Sequence, residues 1–271
     1  MGTTHRRTVE VMGTVVSLAL RGRHADGPEV DALWAEVVGV LRHADEVFST
    51  YLPDSPINRW GRGELSLAEA PPEIAEVLAL AEEARLLSGG AFDIRATRSP
   101  YGGGPDPSGV VKGWAVQRAS ALLERLADTD FCLSAGGDMV CRTRRVDAEP
   151  WWIGIEDPVD PTRLIARVPV HNGAVATSGT VHRGEHIMDP RTGSPARALR
   201  QVTVIGPDLT EVDTEATSAF VLGDEASGWL QARRRTGVLV HADGRVEVVA
   251  PAAGRRVTPV RPGAPRSSAS R

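Results

Sequence analysis

Between residues 171 and 193 the chain reads HNGAVATSGTVHRGEHIMDPRTG. Small residues from Ala174 to Gly179 allow a ligand close to the backbone. Thr177 and Ser178 offer hydroxyl and N–H groups to an anion. His186, with Asp189 three residues on, adds a titratable base and a fixed carboxylate. Asp213 and Thr217 are four apart and point to one side of a helix. As two oxygen donors they suit a hard cation such as Mg²⁺. They also suit a capping box over Thr210-Glu211-Val212-Asp213, with Asp213 serving the helix start, and from the pair alone the cap is preferred. Gly136-Gly137-Asp138 by itself reads as a tight turn, Asp93 as a loop cap or a site residue, and Tyr51 as a packing aromatic or a cover for a ring. Lys112 is singular: lysine and arginine total 31, and only one of them is lysine. Arginine does not replace a compact ammonium where one is needed.

These residues need a scaffold, and the pattern of apolar positions outlines it. Residues 8–20 are β-branched and partly alternating, a strand or a hairpin bending at Gly13. Val30, Leu33, Trp34, Val37, Leu41, Ala44 and Phe48 fall at helical spacing. Residues 53–56 read as a turn. A second helix opens at Pro71-Pro72, is buried through Ile74, Val77, Leu78, Ala81 and Ala84, and ends at Gly89-Gly90. After a Gly/Pro loop over 101–109, residues 112–126 form a third helix with Lys112-Gly113 at its start. Strands are expected at 131–134, 139–142, 151–155, 164–170, 174–177 and 201–205. A fourth helix covers 211–222, and a last hairpin, 238–241 with 246–249, turns at Asp243-Gly244. From 251 to 271 the chain is Pro, Gly, Arg and Ser-rich, and this tail is expected to be largely disordered, its last dozen residues in particular. Residues 1–250 are expected to form one domain of two closely joined lobes.

With 271 residues and 41% hydrophobic content, the chain can bury a large core, aliphatic because aromatics are only 4%. A formal net charge of −4 provides no broad basic field for nucleic acid. Cys132 and Cys141 are too few for a disulfide framework and read as buried thiols. Glu10 interrupts the apolar residues of the amino end, no cysteine there could take a lipid, and no run reaches the ~18 apolar residues of a membrane span. The expectation is a cytoplasmic protein without a membrane span.

Taken in order, ten segments resemble the ApbE family of flavin transferases, the FAD:protein FMN transferases. They are Met12-Gly13-Thr14, FSTYLPDS at 48–55, GGAFD at 89–93, VKGWAV at 111–116, SAGGD at 134–138, the strand of Trp152 to Ile155, ATSG at 176–179, HIMDPRTG at 186–193, VTVIG at 202–206 and VDTEATSAFVLG at 212–223. The resemblance spans about residues 9 to 250. It implies an α/β fold of the α+β type, with antiparallel sheets carrying packed helices and an FAD cleft between lobes. The implied reaction moves the FMN half of FAD to a threonine or serine hydroxyl of an acceptor protein and releases AMP, with Mg²⁺ as the metal. The metal would be held by Asp213, Thr217 and the backbone carbonyl of Gly109. His186, with Asp189 beside it, falls where the family has its catalytic base. Met12 and Tyr51 fall beside the flavin ring, and Thr177, Ser178 and Gly179 beside the phosphates. Asp93, Lys112, Gln117, Asp138 and His186 complete the implied FAD contacts.

The chain departs from the family pattern at four places. Gln117 stands where an acidic residue usually follows the Lys-Gly-aromatic-Ala-Val run. Pro56 replaces a glutamate, Ser134 an asparagine, and Ile94-Arg95 a Pro-Thr pair after Asp93. Gln117 would remove a charge from the cleft and Arg95 would add one. Two other functions stay compatible with these residues: an FAD pyrophosphatase, with water in place of the acceptor, and a non-catalytic FAD-binding protein.

Overall fold

A computed structural model describes residues 3–180, 187–250 and 258–259. An eight-stranded antiparallel sheet forms its centre, in the order β1-β2-β3-β4-β7-β10-β11-β12. Its strands are β1 (His5–Val11), β2 (Thr14–Gly22), β3 (Thr129–Ala135), β4 (Asp138–Arg142), β7 (Gly173–Gly179), β10 (Leu199–Gly206), β11 (Thr236–His241) and β12 (Val246–Val249). A smaller sheet joins β5 (Trp151–Glu156), β6 (Leu164–Val170) and β13 (Thr258–Pro259) in the order β13-β6-β5, and β8 (Met188–Asp189) pairs with β9 (Ser194–Pro195).

Both faces of the large sheet are covered, so its strands alternate between two cores. Phe131, Leu133, Ala174, Ala176, Val202, Val204 and Leu239 face the helices. Cys132, Cys141, Val175, Ile205 and Val238 pack instead on Ile155, Val168 and Val170 of the small sheet. The helices are α1 (Pro28–Phe48), α2 (Pro56–Gly61), α3 (Pro72–Leu87), α4 (Ser108–Leu123), α5 (Leu209–Leu222) and α6 (Ala226–Ala232). Cys132 and Cys141 are a direct cross-strand pair, both buried free thiols.

Two hairpin turns place the cleft rim. Met12 and Gly13 have φ of 54° and 66° and close β1 on β2 with Val11 opposite Thr14, as a two-residue turn of positive φ requires. Gly136 and Gly137, at φ 57° and 99°, close β3 on β4 with Ala135 opposite Asp138. A Cβ on Gly136 would also lie 2.9 Å from Thr14 Oγ1. The two turns therefore meet, and glycine is required where they do.

Some boundaries differ from the sequence reading. Helix α4 begins at Ser108, where Asp106 Oδ1 accepts the Ser108 N–H at 3.0 Å; Lys112 thus sits in the second turn. Residues 56–61 form α2, with Ser55 as its N-cap and Pro56 in its first turn, a position whose missing N–H is harmless. The α5 cap is Asp208, whose side chain accepts the Glu211 N–H. Asp213 does not cap: it lies in the second turn and is buried. Of the tail expected to be largely disordered, Thr258 and Pro259 pair with Arg167 and Ala166 of β6; its last dozen residues, and 251–257, lie outside the described residues. Among the described residues no helix is long and apolar enough to cross a membrane.

Candidate active site

A cleft of about 1020 Å³ opens between the Met12-Gly13 and Gly136-Gly137 turns, the end of α1, the loop after α3, the starts of α4 and α5, and β7. That is at the upper end for small-molecule sites, which run from about 300 to 1,000 Å³. Its existence follows from the sheet. Strand β4 pairs with β7 only from Met139 opposite Val175 to Cys141 opposite Gly173, while β7 continues to Gly179 against β10. Beyond β4 the edge of β7 faces the cleft, and the Thr177 N–H donates to Asp138 Oδ1 at 2.8 Å instead of to a strand.

Side chains of β7 alternate around this edge. The Thr177 hydroxyl pairs with Thr203 Oγ1 at 2.9 Å, and the Ser178 hydroxyl, on the other face, with Thr217 Oγ1 of α5 at 2.9 Å. Thr177, Ser178, Gly179, Thr217, Asp213, Gly109 and Lys112 all line the cleft. Met12, Tyr51 and Asp93 line it too, along with Phe48, Phe92 and Met188. Tyr51 is 78% exposed, so its ring stands open at the cleft wall.

Lys112, which lines the cleft, joins two carboxylates that are remote in sequence, Asp213 of the lining and Asp138 behind it. Its ammonium contacts Asp138 Oδ2 and lies 3.6 Å from Asp213 Oδ1. Asp138 is 1% exposed and Asp213 4%. No hydrogen-bond donor reaches the buried Asp213 Oδ2. Burial pushes the Asp213 carboxyl up to about 7; Lys112 opposes that rise, and the negative charge of Asp138 adds to it. The Gly113 N–H hydrogen-bonds the Asp213 carboxylate. A Cβ on Gly113 would stand 2.9 Å from Leu209 O and 3.0 Å from Asp213 Oδ2. Glycine after the lysine is what lets α4 and α5 cross closely enough to share these charges.

Other expected site residues are placed differently. Gln117 does not line the cleft; it lies in a second groove on the far side of α4 and α5, where its Oε1 accepts the Leu209 N–H at 2.9 Å. Met188 and Pro190 line the cleft, but Asp189 between them is held by Arg191, with Nε–Oδ1 and Nη2–Oδ2 both 2.9 Å. Those bonds hold the Asp189 carboxyl below its usual range. Asp93 is gripped the same way, with Arg95 Nη2–Oδ2 at 2.8 Å and the Arg95 N–H on Oδ1, and its carboxyl is likewise lowered. The charge that Arg95 adds is therefore neutralised locally. His186 lies outside the described residues; Ile187, which follows it, is buried and lines the cleft. Asn58 was not singled out from the sequence. It is buried, and its Nδ2 donates to the carbonyls of Ser49, Thr50 and Leu52, which fixes the loop carrying Tyr51. An asparagine just inside a Ser-Pro helix start was the available signal.

The ApbE family model matches residues 12–99 and 104–240, and the chain belongs to the ApbE family. The chain is 32% identical over 146 residues to the FAD:protein FMN transferases of Klebsiella pneumoniae and Escherichia coli K12, covering 50% of this chain and 41% of each relative. These matches thus span well under half the relatives' length. The fold is similar to the crystal structure of the ApbE protein from Thermotoga maritima, with a TM-score of 0.78 at 22% identity over 91% of this chain and 97% of that one. It is similar also to the flavin transferase ApbE from Vibrio cholerae, with a TM-score of 0.76 at 20% identity over 92% and 98%.

Proposed function

We propose that this chain transfers the FMN half of FAD to a threonine or serine hydroxyl of an acceptor protein, releasing AMP, with Mg²⁺ as the metal. The observation that carries the proposal is the Lys112, Asp138 and Asp213 cluster set beside the hydroxyls of Thr177, Ser178 and Thr217. Lys112 and Asp213 line a cleft whose volume of about 1020 Å³ leaves room for a dinucleotide. Met12, Phe48, Tyr51 and Phe92 offer one stretch of that cleft as an apolar wall for a flavin ring. The names of the relatives point the same way.

Charge supports the metal. Among the described residues that line the cleft, Lys112 is the one cation, against Asp45, Asp106, Glu156 and Asp213 and the Arg95-paired Asp93. A pyrophosphate would be repelled by that lining unless a cation reversed its sign. Among the described residues no three His, Cys, Asp or Glu side chains gather as a metal cage. A magnesium site does not need one, because the ion accepts a carboxylate with waters and substrate oxygens. The undonated Asp213 Oδ2, the Thr217 hydroxyl and the Gly109 carbonyl are hard donors that would hold it. When bound, the ion neutralises charge on the pyrophosphate oxygens.

The chain's own groups divide the remaining work. Asp138 holds the Thr177 N–H and Lys112 in place. Ser178 and Thr217 hold each other and present hydroxyls to the phosphates. His186 takes the proton of the acceptor hydroxyl. The acceptor oxygen bonds to the FMN phosphorus as that phosphorus parts from the bridging oxygen, and AMP leaves with the bridging oxygen. The test is incubation with FAD, Mg²⁺ and a panel of threonine-bearing acceptor proteins, read by mass. An acceptor heavier by FMN less water, with one AMP released per acceptor modified, is expected. Free FMN and AMP with unmodified acceptors would mark a pyrophosphatase, and unchanged FAD a binding protein.

A further inference from the structure

Asp138 and Asp213 are each nearly withdrawn from solvent, and one ammonium serves both. Two buried carboxylates repel each other and have lost their hydration, so a counter-ion is required to keep the pair charged. The Lys112 ammonium contacts Asp138 Oδ2, whereas the buried Asp213 Oδ2 has no hydrogen-bond partner, which leaves Asp213 as the carboxylate with room for more cationic charge than Lys112 supplies. Lys112 is held differently by the two. It contacts Asp138 directly and reaches Asp213 only at 3.6 Å. The Asp138 carboxylate is also fixed through Oδ1 by the Thr177 N–H. The lysine is thus anchored on β4 and shared loosely with α5.

We infer that Lys112 is a resident counter-ion of the metal site: it occupies the face of Asp213 in the metal-free protein, and a divalent cation displaces it from Asp213 while Asp138 retains it. This inference rests on the metal reading above and adds to it a competition between two cations and an order of events. Metal enters first, and the ammonium it releases turns toward the cleft, where an anion can use it. The singular survival of lysine here then has a physical reason. An ammonium is a compact, rotatable point charge on a flexible stem, suited to exchanging partners, whereas a guanidinium is planar and fixes its partner through a fork.

The lone lysine also makes the test direct. The 271-residue chain labelled with [¹³Cε,¹⁵Nζ]lysine shows one side-chain lysine signal. It is titrated with MgCl₂ without FAD, while calorimetry follows binding on the same sample. The expected result is a lysine signal that moves with the midpoint found by calorimetry. Lys112→Met should bind Mg²⁺ at least tenfold more tightly than the parent and show a larger rise in Tm on adding it. A lysine signal unmoved at metal saturation, or Lys112→Met binding Mg²⁺ no more tightly, would overturn the competition and leave the metal site standing. Absence of Mg²⁺ binding to the parent, with AMP release from FAD persisting in EDTA, would remove both. The labelled parent carries the test if the variant does not fold.

Discussion

Two sets of buried carboxylates in this protein are treated in opposite ways. At the far end of β3 from the cleft, Asp130 is 0% exposed. Its Oδ1 accepts the Arg144 N–H at 2.9 Å, and its Oδ2 accepts Arg145 Nη2 at 2.8 Å and Nε at 3.2 Å. Burial alone would raise this carboxyl; the arginine and backbone donors hold it below its ordinary value. Glu215 of α5 is 3% exposed and taken by Arg233 at 2.7 Å and Arg235 at 2.6 Å. Asp213, two residues earlier on the same helix, shares one lysine with Asp138 and keeps an oxygen without a donor. Where a carboxylate only holds elements together, arginine forks saturate it. Where a lone pair is left open and the carboxyl is pushed up to about 7, burial carries an energetic cost that the proposed metal would offset.

The largest expected effect separates these classes. Asp213→Asn should cut FMN transfer by roughly a hundredfold or more, because it removes the one carboxylate expected to bind the metal, while leaving the metal-free fold at least as stable. Asp130→Asn should do the reverse, lowering stability by about 3–5 kcal/mol, the scale for breaking a buried ion pair, with activity per folded molecule unchanged. Urea unfolding and AMP release on both variants check the pair. Equal activity losses would dissolve the distinction drawn between them.

The titration of Asp213 gives a second, smaller test. Its folded value of about 7 lies above the ordinary 3.8, so the unfolded chain gives up this proton first. Stability of the metal-free protein therefore falls as pH rises from about 4 to about 7 and changes no further from this group above that. Asp213→Asn should remove that component, gaining on the parent as pH rises through this window. Mg²⁺ binding must displace the proton below pH 7, so affinity should drop about tenfold per pH unit there and level off above it. Calorimetry from pH 5.5 to 8.5 measures this; a flat profile would mean that Asp213 is not a ligand.

How much of this was legible in the chain depends on range. Patterns that repeat locally were readable: the partial alternation of residues 8–20, which form β1 and β2, the stripe of α1, and the turns at Gly13 and Gly136-Gly137. The fold expected from the family resemblance agrees with the sheet and helices observed. Overlapping local signals misled. Thr210-Glu211-Val212-Asp213 and Asp208-Leu209-Thr210-Glu211 are both capping frames, and the second won because the helix starts two residues earlier. Residues 53–56 hid a six-residue helix behind turn-forming prolines. Asp189 read as a partner for His186, although an arginine two residues on was placed to claim it. The ion cluster itself was out of reach. Lys112, Asp138 and Asp213 come from three elements, and only the packing of α4 against α5 across Gly113 brings them together.

Gln117 provides the finest distinction, because it bears on the same helix from the opposite side. Its Oε1 accepts the Leu209 N–H at 2.9 Å, one of the first-turn donors that a helix cannot satisfy internally. The residue is thus a clasp between α4 and the start of α5, and α5 carries Asp213 and Thr217. Gln117→Leu keeps the volume but removes the acceptor, and should cost about 1 kcal/mol, with Mg²⁺ affinity weakened only slightly. Gln117→Glu restores the acidic side chain usual in the family. If the residue acts solely through α5, a carboxylate there keeps the acceptor and meets the positive end of the helix dipole, worth about 0.3–1 kcal/mol. Tm should then rise by a degree or two while FAD affinity stays constant. If instead the position bears on the cleft electrostatically, one more negative charge should weaken FAD binding, and adding salt should relieve the loss. Thermal melts and FAD titrations of Gln117→Glu at two salt concentrations decide whether this residue belongs to the clasp or to the cleft.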